Sequence, residues 1–300
     1  MSSTAAAASA KSAGVPRRHD YRFFERLRVR WVEIDAQQIV FNGHYLAYFD
    51  TAVGGYWRAL ALPYAPTMQS LDGDFFVRKS TVEYLSPARY DDLIDVGVRC
   101  ERLGSSSMTL HCAVFRGADC LVHGELVYVF ADPGQQGSRP IPQRLREVLQ
   151  GFEKGESMVQ AKLGSWAELG GDAGPIRQAV FVEEQKIPAE MEWDSADESC
   201  LHAVAYNRLG RPLATGRLLE HVPGVAKIGR MAVVPALRGS RVGREVLDAL
   251  MRAGRERGYR EVLLHAQLSA EGFYARAGFQ RRGPVFEEAG IEHVEMVRAL

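Results

Sequence analysis

The chain has 300 residues, 46% of them hydrophobic and 25% charged, with 37 Lys plus Arg against 37 Asp plus Glu. A formal net charge of zero excludes a dedicated basic nucleic-acid binder and an acidic solvating polymer, and the length suits about two domains. No run approaches the roughly 18 apolar residues of a bilayer span, so a cytoplasmic protein is expected.

Residues 1–19 are rich in Ala and Ser and carry their basic residues at the end. A signal peptide has the opposite order, so a disordered tail is expected. Residues 20–150 read as one domain. A strand is predicted over 24–32, then a long helix, because Tyr45, Leu46, Phe49, Val53, Trp57 and Leu60 recur at three- and four-residue steps. Four runs follow, at 75–85, 93–103, 108–115 and 121–130, each of strand length and rich in β-branched or aromatic residues. The expected fold is α+β, an antiparallel sheet wrapped around the apolar helix, since such a helix needs cover.

Turn residues at 131–138 and a short helical pattern (Leu145, Val148, Leu149, Phe152) lead to a linker expected at 151–158. The rest, 159–300, alternates helices (176–184, 242–257, 270–277) with strands (201–207, 213–220, 226–234, 261–266, 293–298). An α/β domain with a mixed sheet and flanking helices is expected. Cys100, Cys112, Cys120 and Cys200 form no C-x-x-C pair, so no metal site is expected and the thiols are read as reduced.

Two segments carry chemistry. In the first, Asp35 lies between a strand and the start of the apolar helix, with Asn42, Gly43 and His44 at that start. Unpaired backbone N–H groups at a helix start can polarise a carbonyl, and a nearby carboxylate can attack it or activate water. An acid before a helix is also a common cap. The pattern Asp35-Ala36-x-x-Ile39-Val40-Phe41-Asn42-x-x-Tyr45, followed by a long helix and the meander segment 76–88, resembles the hot-dog-fold acyl-CoA thioesterases of the YbgC and 4-hydroxybenzoyl-CoA types. The resemblance implies that Asp35 is the catalytic carboxylate, that Asn42 offers its backbone N–H to the thioester carbonyl, and that the site lies at the interface of a homodimer or homotetramer. Gln37 and Gln38 stand where that family usually has glycine, and His44 reads as a surface or capping residue.

In the second, Arg238-Gly239-Ser240-Arg241-Val242-Gly243-Arg244 joins a strand to a helix. Glycines there let N–H groups approach a phosphate, and the helix dipole favours its charge. Together with Met231-Ala232-Val233-Val234-Pro235 before it and Gly272-Phe273-Tyr274-Ala275-Arg276-Ala277-Gly278-Phe279 after it, this loop resembles the GNAT acetyltransferase superfamily, in its ElaA-like branch. Segments 176–185, 266–268 and 286–293 fit that branch too. The superfamily pattern has Gly where Arg241 stands. The resemblance implies that Met231, Ala232 and Val233 pair with a pantetheine arm, that residues 238–244 hold the pyrophosphate, and that Tyr274 protonates the leaving thiolate. No base for the acceptor stands out: Glu184, Glu192 and His293 are candidates, and His202 and His265 read as core.

The resemblances imply a bifunctional enzyme that hydrolyses an acyl-CoA and moves an acyl group, usually acetyl, to a small-molecule or protein amine. Acyl-CoA is the co-substrate, with no tightly bound cofactor. Two alternatives are a non-catalytic, oligomerising or acyl-binding first domain, and a CoA-binding regulator. The zero charge also hides opposed blocks. Residues 156–200 carry 3 basic and 10 acidic residues, and 227–282 carry 12 basic and 5 acidic. The basic block contains the phosphate-type loop; the acidic one is either a solvated face or a site for a cationic amine.

Overall fold

A computed structural model describes residues 14–134 and 137–300. The chain divides into two compact units, one running up to Trp57 and over Tyr64–Gly155, the other comprising Arg58–Pro63 and Glu156–Leu300.

The first unit contains β1 (Phe23–Arg28), α1 (His44–Ala59), α2 (Tyr64–Ser70), β2 (Asp74–Tyr84), β3 (Leu93–Leu103), β4 (Ser107–Arg116), β5 (Asp119–Ala131) and α3 (Gln143–Glu153). The five strands form one antiparallel sheet in the order β1-β3-β4-β5-β2. Ring contacts show how the sheet meets the helix. Tyr56 of α1 packs edge-on against Phe23 of β1, and Trp57 and Tyr45 pack against Phe75 and Tyr84 of β2. Since β1 and β2 are opposite edges, the sheet curls around α1. Gly55 permits the close approach: a Cβ there would lie 2.1 Å from the Glu25 carboxylate. The face of α1 that is buried carries Tyr45, Tyr48, Phe49, Ala52, Val53 and Tyr56. Leu46, placed in that stripe by the sequence, is 39% exposed, and Leu60 falls beyond the helix end.

Three boundaries differ from expectation. Residues 1–13 of the expected tail lie outside the described residues, but Arg18–Asp20 form a 3-10 turn whose first N–H partner, Arg17, donates to Asp20 (2.7 Å). The first strand stops at Arg28, and Trp31–Glu33 form another 3-10 turn because Glu33 accepts from the Arg30 N–H (2.7 Å). The expected linker starts inside α3, whose last residue Glu153 accepts from the Tyr56 hydroxyl (2.6 Å) and the Cys100 amide (2.8 Å).

The second unit contains β6 (Val159–Gly164), α4 (Trp166–Arg177) continued by a wide π-helical turn over Gln178–Glu184, the single turns α5 (Ala189–Glu192) and α6 (Ala196–Ser199), β7 (Leu201–Asn207), β8 (Pro212–Val222), β9 (Val225–Val233), α7 (Val242–Glu256), β10 (Glu261–Gln267), α8 (Glu271–Arg276), β11 (Gln280–Glu288) and β12 (Ile291–Ala299). The sheet order is β11-β12-β10-β9-β8-β7-β6, with β9 and β10 parallel and the other neighbours antiparallel. Successive residues of β8 alternate faces. Gly216 turns to α7, where a Cβ would meet Val246 and Leu250 at 3.1 Å, and Arg217 turns to the opposite face to bond Asp194 and Asp197. The sequence missed α2, β6, all but the last two residues of α4, the single turns α5 and α6, and β11. No helix among the described residues is long and apolar enough to cross a membrane.

Candidate active sites

In the first unit, a cavity of about 640 Å³ is lined by Asp35, Ile39, Phe41, Asn42, Tyr45 and Tyr84, among others. Asp35 closes an Asx turn: its Oδ1 accepts from the Gln37 amide (2.8 Å), with the Ile39 amide at 3.5 Å. Its Oδ2 has no partner among the described residues. Gln38 completes the turn at φ +61°, so the left-handed conformation that glycine favours is kept by a glutamine. Asn42 precedes α1. Its carbonyl accepts from the Tyr84 hydroxyl (3.2 Å) and the Tyr45 amide (3.4 Å). Among the described residues, the N–H groups of Asn42 and Gly43 have no acceptor, as expected of a helix start. Asp35 and Asn42, a carboxylate and one of these unpaired amides, therefore line one cavity. His44 is the first residue of α1 and packs edge-on against Phe41.

The loop is pinned from below by Glu33, which the sequence reading passed over. It is 2% exposed and accepts from the Arg30 amide (2.7 Å), the Arg30 Nε (2.8 Å) and the Tyr48 hydroxyl (2.7 Å). Burial pushes its pKa up, but these donors outweigh it and hold the carboxyl below its usual range. Its carbonyl takes the Phe41 N–H (2.9 Å), which ties the two ends of the Asp35 loop together.

In the second unit, β9 carries a bulge. Gly229 pairs with Arg217 and Ala232 with Thr215, three steps against two, and Arg230 sits at φ +53°. Strand β10 pairs with β9 only from Val225 to Ile228. Beyond that point the strands part, and the β10 side of Met231, Ala232 and Val233 has no strand partner. A cavity of about 380 Å³ opens at the bulge, and Met231 and Tyr274 both line it. Tyr274 is 7% exposed, sits on α8 between the rings of Phe273 and Phe279, and burial raises its pKa. It is thus a protonated donor at neutral pH.

The 238–244 loop turns through Gly239 (φ +82°) and Arg241 (φ +68°), the latter as N-cap of α7. The structure keeps a left-handed turn here with arginine in place of glycine. Among the described residues, the N–H groups of Gly239, Arg241, Val242 and Gly243 have no acceptor, whereas that of Ser240 donates to Leu237 (3.2 Å) and that of Arg244 to Arg241 (2.9 Å). The three arginines are not equivalent. Arg238 makes a two-pronged pair with Glu184 (2.6 and 2.6 Å), Arg244 pairs with Asp248 (2.8 Å), and Arg241 is exposed with no carboxylate partner among the described residues.

The proposed bases separate as well. Glu184 is spent on Arg238 and does not line the cavity. Glu192 does line it but is locked by Arg177 and by Arg230 (3.1 Å). Burial dominates there and raises its pKa. Asp194 and Asp197 are held by Arg217 (2.7 Å to each). The Arg217 bond depresses Asp194, and at Asp197 burial opposes but the Arg177 and Arg217 contacts prevail. The acidic block around 190–198 is therefore largely matched by three arginines rather than left open to an amine. His202 is 1% exposed with its Nε2 2.9 Å from the Asp197 carbonyl, a satisfied core residue. His265, read as core from the sequence, lines the cavity instead, as does His293. Among the described residues, no three His, Cys, Asp or Glu side chains gather as a metal site.

Comparison with known proteins assigns a family to each unit. Residues 37–122 match the model of the thioesterase superfamily and residues 171–300 that of the acetyltransferase (GNAT) domain. A Bacillus subtilis protein named as a candidate acetyltransferase is 36% identical over 126 residues, 41% of this chain and 84% of that one. The uncharacterised N-acetyltransferase YjcF of the same organism is 34% identical over 42% of this chain and 90% of its own length. A protein of Aquifex aeolicus named as a candidate esterase is 30% identical over 42% of this chain and 97% of its own. The chain belongs to the thioesterase superfamily through its first unit, a hot-dog domain, and to the GNAT acetyltransferases through its second.

Proposed function

We propose that the protein is a bifunctional CoA-thioester enzyme. In the first unit, from about residue 20 to the end of α3, Asp35 acts on an acyl-CoA thioester while the Asn42 N–H takes the developing charge on the carbonyl oxygen. The observation that supports this is the pairing, in one cavity, of Asp35, whose second oxygen has no partner among the described residues, with Asn42, whose N–H is likewise without an acceptor at the head of α1. The acyl-enzyme and water-activation variants of the chemistry use the same two groups.

In the second unit, from β6 onward, the parted strands receive the pantetheine arm alongside Met231–Val233 as an added strand. The free amides of residues 239–243, with Arg241, hold the pyrophosphate. Tyr274 then gives its proton to the departing CoA thiolate. No step in either half calls for a resident metal or cofactor. A homo-oligomer through the first unit is supported by edge strand β2, which leaves Phe76 44% and Val77 55% exposed. The cytoplasm, where CoA thioesters and free thiols coexist, is the compartment that fits.

The test is mass spectrometry of products from a mixed pool of acyl-CoAs and amines, run with the parent and with the Asp35→Asn and Tyr274→Phe variants. Free acid should fall sharply in the first variant and N-acyl amine should fall in the second. Hydrolysis unchanged by Asp35→Asn, or absent from the parent, leaves the first unit as a binding or oligomerising module. Binding of acetyl-CoA without any transfer makes the second unit a CoA sensor.

A further inference from the structure

Acyl transfer to an amine needs a group that removes a proton from the ammonium form before attack, and the tethered carboxylates around Glu192 cannot serve while arginines hold them. One cluster on the cavity wall is not spent in this way. His265 and Gln267 lie two residues apart on β10 and so share a face, and both line the cavity with Tyr274. The Nδ1 atom of His265 is 3.2 Å from Glu288 Oε2 on β11 and 3.3 Å from Lys227 Nζ on β9. Its ring is packed edge-on by Phe286 at 4.9 Å, and the other side of the Phe286 neighbourhood is occupied by His293, stacked at 6.0 Å. Among the described residues, Nε2 of His265 has no partner. His293 differs, because its Nδ1 is taken by the Ile291 carbonyl (2.8 Å) and no carboxylate bonds it.

From this arrangement we infer that His265 is the general base of the acyl transfer, with Glu288 and Lys227 as positioning residues acting through it. The proposal rests on the acyltransferase reading of the second unit. With Nδ1–H donated to Glu288, the lone pair of Nε2 is left for the substrate, and the carboxylate stabilises the imidazolium that forms. Lys227, 3.3 Å from the same nitrogen, bears on that charge from the other side. Glu288 is held ionised: burial works against it, but the His265 bond, Lys227 and His293 prevail. The remaining charges near the ring are already committed. Glu295, opposite His265 on β12, pairs with Arg282, and Arg217 and Arg230 are occupied by Asp194 and Glu192.

The protons balance. Nε2 of His265 takes one proton from the ammonium, and the freed lone pair attacks the acyl carbon to form the C–N bond. On collapse the C–S bond breaks, its electron pair goes to sulfur, and Tyr274 protonates the thiolate. The second proton lost by the new amide nitrogen returns to Tyr274, and His265 releases its own to solvent.

The test follows N-acetyl amine formation, by product mass, by the full-length chain from acetyl-CoA across a pH series, with a panel of primary alkylamines, polyamines, aminosugars and lysine peptides. With the acceptor the parent uses best, His265→Gln should lower kcat about 10²-fold or more, abolish the acid-side limb of the pH–rate profile and bind acetyl-CoA as the parent does in calorimetry. Glu288→Gln should move that limb to lower pH and Lys227→Gln to higher pH, opposite shifts that a merely structural role does not produce. These two variants carry the test even if His265→Gln fails to fold. A limb that survives in His265→Gln, or that disappears in His293→Gln, overturns the assignment and leaves the acyltransferase reading intact. A parent that binds acetyl-CoA but forms no N-acetyl amine with any acceptor removes both.

Discussion

The loop over residues 35–43 and the loop over 238–243 use one backbone device for two chemistries. Each follows a 3-10 turn, passes through a left-handed residue that is not glycine (Gln38 at φ +61°, Arg241 at φ +68°) and presents N–H groups with no acceptor among the described residues at the head of a long helix. The side chains differ. The first loop carries a carboxylate, Asp35, tied to its own amides and free on one oxygen. The second carries arginines. Bare helix-start amides attract any anion or developing oxyanion, so the neighbouring side chain decides whether the site attacks a thioester or holds a phosphate.

The comparison breaks most sharply at Asp35. Asp35→Asn should lower acyl-CoA hydrolysis by about 10²–10⁴-fold, the usual range for a lost general base, and leave acetyl transfer unchanged; thiol release and product mass read the two activities separately. Tyr274→Phe should do the converse, lowering transfer by about 10–10²-fold with acetyl-CoA affinity kept, because the tyrosine contributes a proton and no charge to the bound cofactor.

Glycine at the two left-handed positions sharpens the contrast. Gln38→Gly and Arg241→Gly both relieve a backbone that costs roughly 1 kcal/mol in a residue with a side chain, so neither should destabilise its unit in denaturant melts. Only Arg241→Gly should weaken acetyl-CoA binding, by several-fold, since it also removes the unpaired cation. Glu184→Gln tests the same loop from the other side. Freed from its partner, Arg238 can turn to the phosphates, and calorimetry should show binding tightened about two- to threefold, the modest effect expected of an exposed pair. A collapse of transfer instead would return Glu184 to the list of bases.

A smaller difference concerns acid. His111 in the first unit is buried, bonded to the Tyr21 hydroxyl (2.7 Å), and pushed down to about 4 by burial, then by Arg99 and His123. The unfolded chain therefore binds a proton that the native unit refuses. Stability from this residue is full above the ordinary value of 6.5, falls as the pH drops below it, and is lost below about 4. Melting curves of the parent and His111→Gln should diverge at neutral pH and converge over that window.

Much of the fold was legible because periodicity survives burial. The strands of the first unit and α7 carry their apolar residues at two- and three-to-four-residue spacings, and a strand or helix has few other ways to bury them. What failed to show was set by partners distant in sequence. Leu46 fits the stripe of α1 yet is exposed. β6 goes unassigned in the sequence, yet it pairs along its whole length with β7. Glu33 looks like any surface acid until Tyr48 and Arg30 close over it.

The sites divide along the same line. By itself the sequence determined the motifs that short-range backbone geometry requires: Asp35 before a helix start, Asn42 at that start, the 238–244 turn and Tyr274 after it. Only the tertiary structure decided which charges are free. It spent Glu184 on Arg238 and Glu192 on Arg177, left Arg241 without a carboxylate partner among the described residues, and carried His265 out of the core and onto the cavity wall beside Glu288 and Lys227. A side chain's residue type fixes what it is able to do, but the neighbours that neutralise, orient or expose it come from strands far along the chain.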